Sequence, residues 1–170
     1  MLRHTQITDA EVYFGETGLV GVSATVDIPS LETAQIEHET LGSVGILQLP
    51  ARGLAALNVT IELMYPEPEL LAWSYDPTAS ELFQFHEPLD VFGADGGIDR
   101  DRSTKLVTIC RLKPSNNEAG QMKKREARKH TISATATSFL QRVYTEQTPL
   151  VEIDLMANIH KVRGRNVWPD

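Results

Sequence analysis

The chain has 170 residues, 41% apolar and 23% charged, with a formal net charge of −7. This is the composition of one globular domain and excludes collagen, coiled coil and a disordered tail. No apolar run approaches the ~20 residues of a membrane-spanning helix. The opening MLRHTQITDAEVYFG has no apolar signal core, and the single Cys110 excludes an internal disulfide or a Cys-based zinc site, so a reduced cytosolic product is expected.

In chain order the pattern is mostly period-2. A weak strand is predicted over Glu11–Phe14. In GLVGVSATVDI, Val20, Val22, Ala24, Val26 and Ile28 take one face; Gly21, Ser23, Thr25 and Asp27 take the other. Weaker strands follow over Leu31–Leu41 and Val44–Leu49, where Ala34, Ile36 and His38 make a partial core stripe. In LNVTIELM, Leu57, Val59, Ile61 and Leu63 alternate with Asn58, Thr60 and Glu62. YPEPELLAWSYDP reads as a short helix, entered through prolines and stopped at Asp76-Pro77.

Strands are then predicted over Glu81–Val91 and Lys105–Leu112, separated by the turn-rich loop Gly93–Arg102. Lys113–Lys129, KPSNNEAGQMKKREARK, shows no alternation and reads as a long charged loop at the tip of a hairpin. In HTISATATSF, Ile132, Ala134 and Ala136 oppose Thr131, Ser133, Thr135 and Thr137. In PLVEIDL, Val151, Ile153 and Leu155 are expected inside, opposite Glu152 and Asp154. About nine strands and one helix imply a mainly β protein: an antiparallel sandwich or barrel with the helix along one edge. A single domain over 1–170 is expected, with 113–129 projecting.

Charge is polarised along the chain. Through Arg100 there are three basic residues against sixteen acidic; from Asp101 onward there are thirteen basic against seven acidic. Such asymmetry suits surfaces of opposite sign, offsetting each other on one monomer or meeting across subunits. The run Lys123, Lys124, Arg125, Arg128 and Lys129 has no interleaved aromatic, so a stacking platform for single strands is not indicated. It reads equally as a solvated loop or as a dock for an acidic neighbour.

Catalytic constellations are missing from the sequence. The five histidines are scattered without metal-ligand spacing, and Glu37-His38-Glu39 puts successive side chains on opposite faces of a strand. Asp95, Asp99 and Asp101 lack the regular spacing and trailing Glu of a calcium loop. There is no Gly-x-Ser-x-Gly elbow. No enzyme activity, cofactor or metal is expected.

The C-terminal string LVEIDLMANIHKVRG resembles the last-strand signature of the major tail tube proteins of contractile-tailed phages. The matching positions are Leu150, Val151, Glu152, Ile153, Asp154, Ile159, Lys161, Val162 and Gly164; Arg163 departs from the family's usual Asn. Val12-Tyr13-Phe14-Gly15 with Leu19–Val22 and Val26–Leu31 resembles its first hairpin. Pro68–Trp73 resembles its Pro-initiated, Trp-bearing helix, and Lys113–Lys129 falls where that family has a charged insertion.

The resemblance implies a structural subunit, not an enzyme. Six copies would close a homohexameric ring, rings would stack into a hollow tube, and strands would join in a continuous barrel around the lumen. It implies a virion tail component assembled in the host cytoplasm, with sheath, baseplate and tail terminator proteins as partners. DNA would transit the lumen without specific binding, and the subunit would not insert in a membrane. A phage-derived bacteriocin or a secretion-system-like injection particle is the alternative in the same class; a monomeric β-barrel ligand-binding domain is the rival from another.

On this reading the inter-ring contact is expected at Lys113, Lys123, Lys124, Arg125, Arg128 and Lys129. A DNA conduit needs a wall with few fixed cations. The expected lumen-facing residues are therefore Ser23, Thr25 and Asp27; Gln35, Glu37 and Glu39; and Ser133, Thr135 and Thr137. Glu152 and Asp154 are expected at a subunit contact.

Overall fold

The computed structural model describes residues 4–7, 9–15, 17–18, 23–39, 42, 44–65 and 67–168. Their order is β1 (His4–Gln6), β2 (Glu11–Phe14), β3 (Thr17–Gly18), β4 (Ser23–Asp27), β5 (Thr33–His38), β6 (Leu47–Leu54), β7 (Leu57–Leu63) and α1 (Pro68–Ser74). Then come β8 (Glu81–Phe92), β9 (Thr104–Glu118), β10 (His130–Val143), β11 (Val151–Asp154), β12 (Ile159–Val162) and β13 (Arg165–Asn166). The chain is mainly β, with antiparallel pairing throughout these elements. Residues 19–22 of the first alternating segment, and the side chains of Ser23 and Ala24, lie outside the described residues.

Three long strands, β8, β9 and β10, form the centre of one sheet. β10 changes neighbours along its length. Over His130–Ala136 it pairs with β7, and over Ser138–Gln141 with β11, while β9 stays on its other side. The switch coincides with a bulge between Ala136 and Ser138, the usual device for turning a strand from one partner to another. β7 carries β4 on its far edge, and β11 continues into β12 and β13. β1 and β2 share the outer edge of β8.

The core follows from the alternation. Leu57, Val59, Ile61 and Leu63 are buried, as are Ile132, Ala134 and Ala136 opposite them, with Phe83, Phe85, Cys110 and Leu112 from β8 and β9. α1 starts at Pro68, where the missing N–H costs nothing, after the extended Glu67. It lays Leu70 and Trp73 inward, and Trp73 packs on Phe83 and Phe14 with ring centroids 5.0 and 5.9 Å apart. Asn117 donates to Ser74 Oγ, tying the helix end to β9.

Three expectations need correction. The charged segment is not a loop from residue 113: β9 runs on to Glu118, and only 119–129 connects it to β10. Pro114 and a register shift beside it broke the alternation in the sequence without ending the strand. Ala34, Ile36 and His38 are no core stripe, because β5 and β6 form a separate two-stranded ribbon whose residues 33–38 are all exposed. Leu155 lies beyond β11 and is 44% exposed, whereas Ile153 is buried and Val151 half-buried.

Candidate functional site

Four adjacent strands present one polar face. Residues directly opposite in an antiparallel pair share a face, so the register reads across β4, β7, β10 and β9 in rows. One row is Asp27, Thr60, Ser133 and Asn116; its neighbours are Thr25, Glu62, Thr131 and Glu118, and then Asn58, Thr135 and Lys113. The apolar partners of these residues fill the core on the other face. The structure therefore brings Thr25 and Asp27 together with Ser133 and Thr135. Thr137 sits at the bulge, its hydroxyl donating to the Arg111 carbonyl at 3.4 Å.

Gln35, Glu37 and Glu39 are not part of that face. In the ribbon, Glu37 stands opposite Gln48 and accepts a hydrogen bond from its amide at 2.9 Å. The pairs Ile36–Leu49 and His38–Leu47 point the other way, leaving Ile36, Leu47 and Leu49 about half exposed. The ribbon root is closed by Ala55 N–H donating to the Glu32 carbonyl at 2.9 Å. A recess of about 500 Å³ opens beside that root, lined by Arg52, Leu54, Asp154, Leu155, His160 and Trp168 among others.

The hairpin tip 119–129 carries Lys123, Lys124, Arg125, Arg128 and Lys129. Lys123 pairs with Glu126 at 3.6 Å within the tip, and Lys129 with Glu62 on the polar face at 3.5 Å. Gly120, at φ +68, fixes the neck: a Cβ there would meet the Lys129 carbonyl at 2.3 Å. Lys113 stands apart from this cluster, in register with Thr135 on the polar face. Sequence alternation did announce Asn58, Thr60 and Glu62; what it lacked was the neighbouring strand that makes them one surface with Ser133 and Thr135.

At the C-terminal end Glu152 is half-buried, opposite Lys161 and Leu140 in register. Asp154 Oδ1 accepts from the Met156 and Ala157 backbone N–H groups at 2.9 and 3.0 Å, so its carboxylate holds the β11–β12 turn. The Gly93–Arg102 loop spends its carboxylates likewise, Asp95 on the Gly97 N–H and Asp99 on Arg102. Among the described residues no group of three or more His, Cys, Asp or Glu is placed to hold a metal ion.

Two buried groups have displaced proton affinities. Burial pushes the Cys110 thiol up to about 12. Burial first, and then the Arg128 charge, hold His130 below the usual imidazole value; among the described residues neither ring nitrogen has a hydrogen-bond partner.

The family model described as phage tail tube protein FII matches residues 4–170. Among solved structures, the PVC sheath–tube complex of an extracellular contractile injection system, in its extended state, has a similar chain. The TM-score is 0.54 at 12% identity, covering 79% of this chain and 88% of that one. A chain in the tube-terminating cap of the anti-feeding prophage gives 0.54 at 10% identity, covering 79% and 87%. At such identities these are likenesses of fold. The comparison with curated proteins finds no match.

Proposed function

The chain belongs to the phage tail tube protein FII family, and on that premise we propose that it is the ring-forming subunit of a contractile tail tube. Six copies close a ring, rings stack into a hollow tube, and sheath, baseplate and terminator proteins meet that tube in a tail assembled in the host cytoplasm. Its work is structural; no residue has a catalytic role.

The observation that carries this reading is the continuous polar face of β4, β7, β10 and β9, backed by a packed core. Small hydroxyl and amide side chains, with Asp27, Glu62, Glu118 and Lys113 spread among them, make a wetted wall without a dense cation lattice. DNA sliding past such a wall finds few fixed charges to hold its phosphates. We assign Thr25, Asp27, Ser133, Thr135 and Thr137 to the bore, with Asn58 and Thr60 added. Gln35, Glu37 and Glu39 leave the bore for the ribbon. The far edge of β4 is unpaired among the described residues, and closing a ring edge to edge removes such edges.

Electron microscopy of the purified protein tests the reading. Six-fold rings and hollow tubes with Ser133 and Thr135 on the inner wall are expected. Persistent monomers, or that face on the outside of the tube, would overturn it.

A further inference from the structure

One corner of the core is polar and short of hydrogen bonds. His130 is 1% exposed, and among the described residues neither of its ring nitrogens has a partner. Asn117 Oδ1, beside it, is also buried and unpartnered, as is Trp73 Nε1 in the last turn of α1. Buried polar atoms without partners are uncommon and destabilise the arrangement that holds them.

Register places these groups together. Asn117 stands opposite Ile132, and Ile132 and His130 are successive core-facing positions of β10, so Asn117 and His130 are diagonal neighbours on one face. Asn117 Nδ2 donates to Ser74 Oγ, and that hydroxyl donates to the Leu71 carbonyl at 2.7 Å. One side chain therefore joins the neighbourhood of the imidazole to the end of α1. Otherwise α1 rests on the burial of Leu70 and Trp73, and its seven residues are too few to stay helical unsupported.

The charges around this corner offer an imidazolium no partner. Glu62 of β7 and Glu118 of β9 both stand opposite Thr131, on the far face of the sheet, and Lys129 is paired with Glu62 there. Asp27 of β4, opposite Thr60, lies on that far face too. Glu69 is exposed in the first turn of α1, and Asp76 beyond its last turn accepts from the Thr78 N–H and hydroxyl. The charge that does act on the ring is the like one of Arg128. A neutral imidazole is tolerated here; a protonated one is not.

We infer that the His130 corner is an acid-sensitive latch on α1: once protonated, the ring leaves the core, the Asn117–Ser74 tie is lost, and α1 lifts while the sheet beneath stays paired. The closed state binds a proton poorly, whereas an opened ring meets water and titrates as an ordinary imidazole. Opening is therefore favoured as pH falls below about 6.5. β7, β9 and β10 are held by ladders that include no residue of α1, so the sheet outlasts the helix. This goes beyond the tube reading and does not depend on it.

Trp73 reports the event. The chain has two tryptophans, so Trp168→Phe leaves Trp73 as the sole emitter. In that protein acrylamide quenching is expected to rise at least about threefold between pH 7.5 and 5.5, with the far-UV dichroism of the sheet unchanged. Amide exchange of the wild type, corrected for its intrinsic pH dependence, should lose protection over 68–75 and keep it over β9 and β10. Adding His130→Phe is expected to abolish both responses; His130→Gln, neutral at every pH, serves if phenylalanine is not accommodated. A flat quenching profile, a rise that persists in the folded His130 variant, or loss of the sheet signal in step with Trp73 exposure overturns the latch.

Discussion

Lys129 Nζ lies 3.5 Å from Glu62 Oε2, so the basic hairpin tip is moored to the polar face of β7 by an ion pair. Both side chains keep contact with water, at 60% and 33% exposure, and the Coulomb gain is heavily screened. Lys129→Ala should therefore cost no more than ~0.2–1 kcal/mol in urea unfolding. Gly120→Ala should cost about 1–3 kcal/mol. There a methyl group must occupy left-handed backbone and displace the Lys129 carbonyl as well. The ranking is the test: a larger loss for Lys129→Ala would show that charge, not backbone geometry, holds the neck.

Ile153 and Leu155 separate core from surface within three residues. Ile153→Ala opens a cavity at a fully buried site and should cost ~2–4 kcal/mol. Leu155→Ala should change the monomer's stability by less than ~0.5 kcal/mol. Thermal unfolding of the two variants under conditions that prevent assembly checks the contrast.

Acid should weaken the fold through His130. Its folded-state proton affinity is lowered, so the unfolded chain binds a proton first as pH falls below about 6.5, and stability drops from that point downward. Half-buried His86 acts in the same direction, with its own burial as the leading cause. His130→Phe should flatten the decline between pH 7 and 5.5 relative to wild type. Equal slopes in the two proteins would show that His130 carries no part of it.

Cys110 should be inert in the native state. Its buried thiol is neutral at pH 8, and only a thiolate attacks. Alkylation by iodoacetamide, followed by intact mass, should be negligible in buffer and complete in urea. Rapid native labelling would mean that β9 opens locally.

Strand faces were legible where a single strand alternates cleanly, as in Leu57–Leu63 and His130–Ala136. The fate of a polar face was not. Ser133 and Gln35 look alike in sequence, yet one joins a four-strand wall and the other a free ribbon. What separates them is register with Thr60 in the one case and Pro50 in the other, a relation between distant segments that no local pattern carries. Lys113 was misread because Pro114 interrupts the pattern, although the strand accommodates it beside a register shift at Ser133 and Ala134. Leu155 was misplaced because Asp154 turns the chain one residue earlier than the alternation suggests.

The long antiparallel match of β9 to β10 has a mechanical consequence. Twelve positions are in register along it, against four between β10 and β11. A pull directed along β10 loads the long ladder in shear, so its bonds share the tension and must fail together. A pull that lifts β11 sideways opens its ladder one bond at a time. Stretched in an optical trap from Lys113 and Val143, the subunit should resist to high force; stretched from Gln141 and Val151, it should yield early and in small steps. The subunit is therefore stiff when loaded along β10 and compliant when loaded across its edge with β11.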